Sequence, residues 1–468
     1  MTAQKSNSPR HVLISGGGPV GSLLALCLAQ RGHTVDVYER RADMRVTGED
    51  AGRSINLALS DRGWKALDQA GVGDKLRERA IAMKGRMVHP LGGDTNLQPY
   101  AEEGRSIFAV HRAELNKALT TYAEEHEQVT FHFNCKTTAL DMSGDGVVLT
   151  LEGSDGSTFT ASGDAVLGAD GANSAVRQAL MQQVPRFNYS IDWLEHGYKE
   201  VYIPPADGEG DARFRIEKNA LHIWPRGHYM LIALPNLDGS FTGTLFLPFD
   251  ADEGPSFNNL DDDERIRAFF EENFPDVVAH LGDTVKNFRS HPTSSLGTVR
   301  CSPWNNEGKA CLFGDAAHAV VPFYGQGLVS GFEDVDEFTA LLDAHDDDWS
   351  HAFTTFSQTR KPNADGIADL AIGNFYEMRD HVADERYLLR KKLEKRAAEL
   401  FKDRFIPFYS MVTFTHMPYS QALAWGTAQN AFLESLLDDD ECKSRFMDDD
   451  YKDVLTARIG AFLAEREA

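Results

Sequence analysis

Residues 11–39 read HVLISGGGPVGSLLALCLAQRGHTVDVYE. The run His11 to Ser15 is short, apolar and β-branched and stops at glycines, as a buried strand does. Gly21 to Arg31 then repeats apolar residues at helical spacing and closes at Gly32, and Thr34 to Tyr38 reads as a second strand. Strand, turn, helix and strand within about 30 residues form the opening unit of a doubly wound fold with a parallel sheet. Gly16-x-Gly18-x-x-Gly21 occupies the turn. Glycines in that pattern permit the tight turn, the approach of a pyrophosphate to the backbone, and close helix–strand packing. Glu39, at the end of the second strand, is placed to accept hydrogen bonds from ribose hydroxyls. The unit predicts a bound dinucleotide; a merely structural glycine turn is the alternative.

Working outward, Val129 to Asn134, Gly146 to Glu152 and Thr158 to Thr160 read as short strands, and Ala165 to Gly168 as a buried strand running into a glycine turn. From about Tyr189 to Pro248 strand-like segments dominate: Lys199 to Ile203, Ala220 to Trp224, Tyr229 to Leu234 and Ser240 to Leu247. They predict a separate antiparallel sheet, the floor of a ligand cavity. Cys311 to Gly314 is again a parallel-type strand, followed by a Gly-rich loop and a helix around Phe332 to Ala344, so the first domain resumes there. The remainder has helical composition, Glu385 to Lys402 for example, with Pro407 and Pro418 as breaks. The fold class expected is α/β: a Rossmann-like domain interleaved with an antiparallel-sheet domain, plus a C-terminal helical region. The expected divisions are 1–185 (with about 81–104 reaching the substrate site), 186–299, 300–345 and 346–468.

Composition narrows the function. With 71 acidic against 47 basic residues the net charge is -24, and a surface that negative repels phosphate backbones and anionic lipids. No nucleic-acid partner is expected. Cys27, Cys135, Cys301, Cys311 and Cys442 are odd in number and lack any CxxC spacing, which fits a reducing cytoplasm. The uncharged stretch His11 to Gln30 is interrupted by a glycine turn, and no other apolar run is long enough to span a bilayer, so a soluble protein is expected. His318, and His345 with Asp346 to Asp348 and His351, lack metal-ligand spacing; no metal is expected.

Two further motifs follow short buried strands: GADGANSAVR (Gly168 to Arg177) and GDAAHAVVPFYGQG (Gly314 to Gly327). Asp170 or Asp315 alone is equally a helix cap, although Asp315 can also accept from a ribitol hydroxyl. Taken together, GxGxxG, then DG, then GD over roughly residues 10 to 345 resemble the class A FAD-dependent aromatic hydroxylases, the family of para-hydroxybenzoate hydroxylase. More specific strings narrow the likeness: GRSINLALSDRG (Gly52 to Gly63), GRMVH (Gly85 to His89), LQPY (Leu97 to Tyr100), HGYKE (His196 to Glu200), LHIWPRG (Leu221 to Gly227), SFTGTLF (Ser240 to Phe246) and RFIPFYSMVTF (Arg404 to Phe414). With these the chain resembles the kynurenine 3-monooxygenase branch of that family from end to end.

The resemblance implies that FAD is held by Gly16, Gly18, Val20, Gly21, Glu39, Arg40, Arg41, Ala58, Arg112, Asp170 and Asp315, with Gly327, Leu328 and Val329 in the loop beside the isoalloxazine. Arg112 can pair with a phosphate or make an ordinary helix-end salt bridge. Arg86, Tyr100, Asn374 and Tyr409 are implied to clamp the amino-acid end of L-kynurenine, since a guanidinium fork and phenol hydroxyls suit a carboxylate. Its ring is implied to lie among Leu221, Ile232, Phe246, Pro322 and Phe323, beside Tyr324 and Gln326 of the same loop. Read without the family, these are a strand-edge ion pair, amphipathic core tyrosines, a surface amide and core residues. One departure stands out: the family continues the loop with Met-Asn where this chain has Leu328-Val329, so an Asn side-chain bond to the flavin is lost while the backbone donors remain.

The activity implied is hydroxylation of L-kynurenine to 3-hydroxykynurenine by a FAD-dependent NADPH monooxygenase. It would consume NADPH and O2, pass through a flavin hydroperoxide, and serve tryptophan degradation by the kynurenine pathway. The alternatives are a sister hydroxylase of another aromatic acid and a flavin-binding protein without hydroxylase activity. Only one dinucleotide fingerprint is present, so NADPH is expected to dock transiently. Eukaryotic relatives carry a membrane anchor at the end where this chain has a charged stretch, Arg458 to Ala468; the expectation is an unanchored protein of a bacterial cytosol.

Overall fold

The computed structural model describes residues 9–47, 56–100, 104–381 and 385–467; residues 52–55 of the GRSINLALSDRG string and Ala468 lie outside the described residues. His11–Ser15 is the centre of a six-stranded sheet, pairing in parallel with Thr34–Glu39 on one side and Ala165–Gly168 on the other. Val129–Phe133 extends the first side and Ala310–Leu312 the second, both in parallel, and Asn305–Asn306 closes the edge antiparallel. Val12, Leu13 and Ile14 are wholly buried, because helices cover both faces of a parallel sheet and its central strands read as continuous apolar runs. The helix Pro19–Ala29 starts on Pro19, where the missing N–H has no intrahelical acceptor to lose, and all its residues but Val20 are buried.

The core of this sheet does not stop at residue 345. Trp349, Ala352, Phe353, Phe356 and Ala364, on the helix Trp349–Tyr376, belong to the same buried cluster as Phe313 and Phe338. Phe356 stacks on Phe313 with ring centres 4.8 Å apart. The expected division between a resumed domain and a C-terminal helical region therefore passes through a shared aromatic core. The later helices Glu385–Phe401, Tyr419–Leu437 and Lys452–Glu467 do enclose a core of their own, built on Leu393, Phe405, Leu433, Leu455 and Ile459. Pro407 and Pro418 sit at the N-terminal caps of Phe408–Thr413 and Tyr419–Leu437, so each break in the helical pattern is also a helix start.

The second large sheet has seven strands in the order Ser294–Ser302, Asn188–Ile203, Phe241–Pro248, Met230–Pro235, Ala220–Pro225, Gly85–Val88, Asn96–Pro99. It differs from the expected antiparallel sheet in one pair, since Ala220–Pro225 and Gly85–Val88 run parallel. The period-two pattern sorts its faces. Val201, Ile203, Trp224, Leu231, Phe241, Leu245 and Leu247 pack against the helices Asp263–Asn273, Pro275–Leu281 and Thr284–Ser290. The first of these helices begins where the Asp262 side chain accepts from the Arg265 N–H at 2.8 Å. The opposite face carries Tyr198, Phe246, Thr244, Thr242, Ile232, Leu221 and Arg86. They are brought side by side by the registers Tyr198↔Phe246, Ile232↔Thr244 and Leu221↔Arg86. Among the described residues, no helix is long and apolar enough to cross a membrane.

Candidate active site

A cavity of about 570 Å³ lies between the two large sheets and runs from Gly18, Val20 and Arg112 at one end to Arg86, Tyr100 and Tyr409 at the other. The first end is built by the glycine turn. Gly16 has φ +102°, and a Cβ there would meet the Ala169 carbonyl oxygen at 2.4 Å, whereas a Cβ on Gly18 would meet nothing within 4 Å. Gly16 thus serves the fold, and Gly18 leaves open space at the N-terminus of Pro19–Ala29, where unpaired backbone N–H groups favour an anion. Gly21 packs against Gly16 as the third glycine of the pattern requires. Arg112 lines the cavity and makes no salt bridge among the described residues, so the alternative of a helix-end ion pair is not realised. Asp315 opens the short helix Asp315–His318 and is exposed toward the cavity. The Glu39 carboxylate accepts from the Gly17 N–H and the Arg41 N–H, each at 2.9 Å, which leaves lone pairs for hydroxyl donors in the recess that it lines with Gly18 and Arg41. These donors and acceptors fit a dinucleotide.

At the far end the Arg86 guanidinium lies 4.9 Å from the ring centre of Tyr409 and 5.8 Å from that of Tyr100. Tyr409 stacks between Tyr100 and Tyr324, with ring centres 5.4 Å away on either side. Burial opposes charge on Arg86, but the phenol oxygens of Tyr409 and Tyr100 and the nearby Glu377 outweigh it and keep the guanidinium protonated. It makes no salt bridge among the described residues. The Tyr100 hydroxyl is buried beside the Arg86 guanidinium, which can only donate, so its own proton has no acceptor in the described structure; burial pushes its pKa up against the pull of Arg86 and keeps it a neutral donor. A cation and a hydroxyl whose proton has no acceptor, at the end of an apolar cavity, match a carboxylate. Between the two ends the walls are Ala58, Leu221, Ile232, Phe246, Pro322, Phe323, Tyr324, Gly327 and Leu328, with Met378, Thr242 and Thr244, which the sequence reading missed. Thr242 and Thr244 were within reach of it, because they share a strand face with Phe246 at period two.

Five expected site residues are placed elsewhere. Asn374 does not line the cavity: its Nδ2 donates to the Phe323 carbonyl at 2.7 Å, so it holds the loop that forms the wall. Gln326 is buried, with Oε1 accepting from Tyr419 Oη at 3.1 Å and Ser60 Oγ at 3.3 Å. Val329 is wholly buried in the first core against Gly63; at the first turn of the helix Gly327–Ala344, one residue of offset turns its side chain inward while Leu328 faces the cavity. Asp170 caps a helix, its Oδ2 accepting from the N–H groups of Ala175 and Val176 at 2.7 and 3.3 Å, while Ala169, Gly171, Ala172 and Asn173 around it line the cavity. Arg40 is exposed and lines neither the cavity nor the Glu39 recess; it follows the last residue of the strand Thr34–Glu39, where the chain bends away.

Buried charge holds the walls in register. Asp334, wholly buried, accepts from His318 Nε2 at 2.6 Å, Arg360 Nε at 2.9 Å and the Gly314 N–H at 2.8 Å, fixing the loop that carries Asp315. Burial alone would raise its pKa; His318 and Arg360 outweigh that and hold it below the usual carboxylate range. Arg62 donates to the carbonyls of Val412, Met411 and Met417, pairs with Glu333 at 2.8 Å and lies 4.2 Å from the Tyr419 ring centre. It ties the segment bearing Tyr409 to the rest of the site. His318 is thus a structural partner, and among the described residues no cluster of metal-ligating side chains exists.

Comparison with known proteins agrees with this geometry. The family described as FAD binding domain matches residues 10–371. A kynurenine 3-monooxygenase of Flavobacterium psychrophilum is 46% identical over 428 residues, which cover 92% of this chain and 94% of that protein. One of Myxococcus xanthus is 44% identical over 459 residues, 97% of this chain and 96% of its own. Among solved structures, 2-methyl-3-hydroxypyridine-5-carboxylic acid oxygenase matches with TM-score 0.63 at 20% identity over 82% of this chain and 96% of its own. The p-nitrophenol 4-monooxygenase of Pseudomonas putida matches with TM-score 0.63 at 18% identity over 81% and 91%. At those identities the structural likeness concerns the fold. The family match over most of the chain, with relatives of this identity along nearly its whole length, has one reading: the chain belongs to the kynurenine 3-monooxygenase family of FAD-binding proteins.

Proposed function

We propose that the protein hydroxylates L-kynurenine to 3-hydroxykynurenine with NADPH and O2, and that one cavity holds FAD at its glycine end and the amino acid at its Arg86 end. The observation that carries this reading is the pairing, in a single cavity, of the open space over Gly18 with the Arg86 cation and a Tyr100 hydroxyl whose proton has no acceptor. Gly18, Val20, Ala58, Glu39, Arg41, Arg112, Asp315 and Leu328 would hold the cofactor. Bound flavin supplies the electron transfer and oxygen activation that hydroxylation of an arene needs.

The remaining work falls to this chain's side chains. Arg86 binds the substrate carboxylate through two parallel N–H donors, and Tyr100 and Tyr409 add hydroxyl contacts that fix its orientation. With the acid end anchored, the aniline ring lies along Leu221, Ile232, Phe246 and Phe323, toward the loop Pro322–Tyr324. Those side chains exclude water, which protects a reactive oxygen species from decay while the ring amine makes its neighbouring carbon electron-rich. Asn374 acts one step back by holding the Phe323 carbonyl. The cytoplasm is the proposed compartment, in keeping with five free thiols, four of them buried. The test is incubation of the flavin-loaded protein with NADPH, O2 and L-kynurenine, followed by mass spectrometry. 3-Hydroxykynurenine supports the reading; NADPH oxidation driven by another aromatic acid and not by kynurenine contradicts it.

A further inference from the structure

Trp193 is 63% exposed, the most exposed aromatic side chain among the described residues. Of the exposed aromatics Phe159, Tyr189, Trp193, Tyr202 and Tyr376, it is also the one that lines the cavity. A lone exposed aromatic is ordinary on a protein surface; what sets Trp193 apart is that it stands in the lining of the cavity. The site is built around it. Trp193 pairs with Gly297 across neighbouring strands, and a Cβ on Gly297 would lie 2.7 Å from the indole, so the ring lies flat on a position that has no side chain. The strand register shifts between Trp193 and Gly197, an irregularity of the kind that re-aims a side chain next to a site. Ala172 and Asn173, also exposed, line the cavity with it and mark the same opening.

We propose that Trp193 is the platform on which the nicotinamide ring of the electron donor docks. The inference rests on the reading that NADPH is the co-substrate. Three reactants must then meet in one cavity, and the fold supplies a single dinucleotide unit, Gly16 to Gly21, at one end, with the Arg86 cation at the other. The third, also a flat ring, has to enter from the open side. An indole backed by Gly297 and open over much of its surface offers a stacking face of the right size and polarity.

The test titrates the flavin-loaded protein by calorimetry with NADP+, which carries no hydride to give, and separately with L-kynurenine. Trp193→Ala is expected to weaken NADP+ binding about tenfold and Trp193→Phe by no more than about threefold. FAD content and kynurenine affinity should stay within about twofold of the parent in both variants. Gly297→Ala, which forces the indole to shift, should weaken NADP+ binding in the parent and have no further effect when Trp193 is already Ala. Unchanged NADP+ affinity in Trp193→Ala overturns the inference, as does a loss confined to kynurenine, which would make Trp193 a gate for the substrate. A parent that binds no NADP+, with or without kynurenine, overturns it too; the reading beneath it is then judged separately, from whether that parent forms hydroxylated product.

Discussion

The Arg86 guanidinium sits 4.9 Å from the ring centre of Tyr409, although the two come from the strand Gly85–Val88 and the helix Phe408–Thr413, near opposite ends of the chain. The contact closes the cavity. It places a cation among phenol rings where the C-terminal segment bearing Tyr409 meets the seven-stranded sheet's parallel pair, Leu221 beside Arg86. An aromatic cage of this kind holds the guanidinium without neutralising it, which leaves its fork available to an incoming carboxylate.

Arg86→Lys therefore keeps the charge and loses the fork. We expect L-kynurenine to bind roughly tenfold or more weakly, with FAD content unchanged, because Arg86 stands on the seven-stranded sheet whereas the glycine turn belongs to the six-stranded one. Equilibrium titration alongside the flavin absorbance checks both halves.

Tyr100→Phe separates binding from stability. The hydroxyl it removes is buried beside Arg86 with no acceptor for its proton, so the stability of the substrate-free protein should stay within about 1 kcal/mol of the parent. Kynurenine binding should weaken by about fivefold to tenfold, one hydrogen bond to a charged group being lost. Thermal melting with and without substrate separates the two effects: the apo midpoint should barely move, and the rise on adding kynurenine should shrink.

The glycines of the first turn are expected to fail differently. Gly16→Ala would put a Cβ at 2.4 Å from the Ala169 carbonyl on a backbone of φ +102°, and should reduce the yield of folded protein. Gly18→Ala meets no atom within 4 Å and should fold normally while losing most of its flavin, since the Cβ fills the space over the helix N-terminus. Circular dichroism and the flavin-to-protein absorbance ratio distinguish them.

Acid should weaken the sheet behind Arg86. His222, 1% exposed, donates from Nε2 to the Glu217 carbonyl at 2.7 Å and lies 2.9 Å from His89, which contacts Asp276 at 2.8 Å. Burial pushes the His222 pKa down from 6.5 to about 4, against that carbonyl bond and with the help of His89. Between those values the unfolded chain binds a proton that the folded one refuses, so stability falls as pH drops through the window and levels off below it. The loss attributable to this group is about 3 kcal/mol. Denaturant midpoints for the parent and His222→Gln, taken across the window, should converge as the pH falls.

What was legible in the chain was local. A buried strand, three glycines and a following acid constrain one another within a single unit, and alternation at period two sorts Phe246 and Ile232 onto the cavity face. What was not legible depended on direction or on distant pairing. The same helix that lends Asn374 to the loop ends in the π turn Glu377–His381, which brings Met378 to the cavity, and no regular periodicity predicts that. Leu328 and Val329 differ by one helical step, yet one faces the cavity and the other the core. Nor does any local pattern show that Gly85–Val88 joins a strand from Ala220–Pro225 in parallel, the pairing that sets Arg86 beside Leu221.

The central claim is that Arg86 anchors the substrate's acid group and thereby aims its ring at the flavin. A crystal structure of the flavin-loaded protein soaked with L-kynurenine tests it most directly. The account predicts the carboxylate on the Arg86 guanidinium and the Tyr100 hydroxyl, with the aniline ring against Phe246 and facing the isoalloxazine. Kynurenine bound away from the cofactor, or with Arg86 turned from its carboxylate, would contradict it.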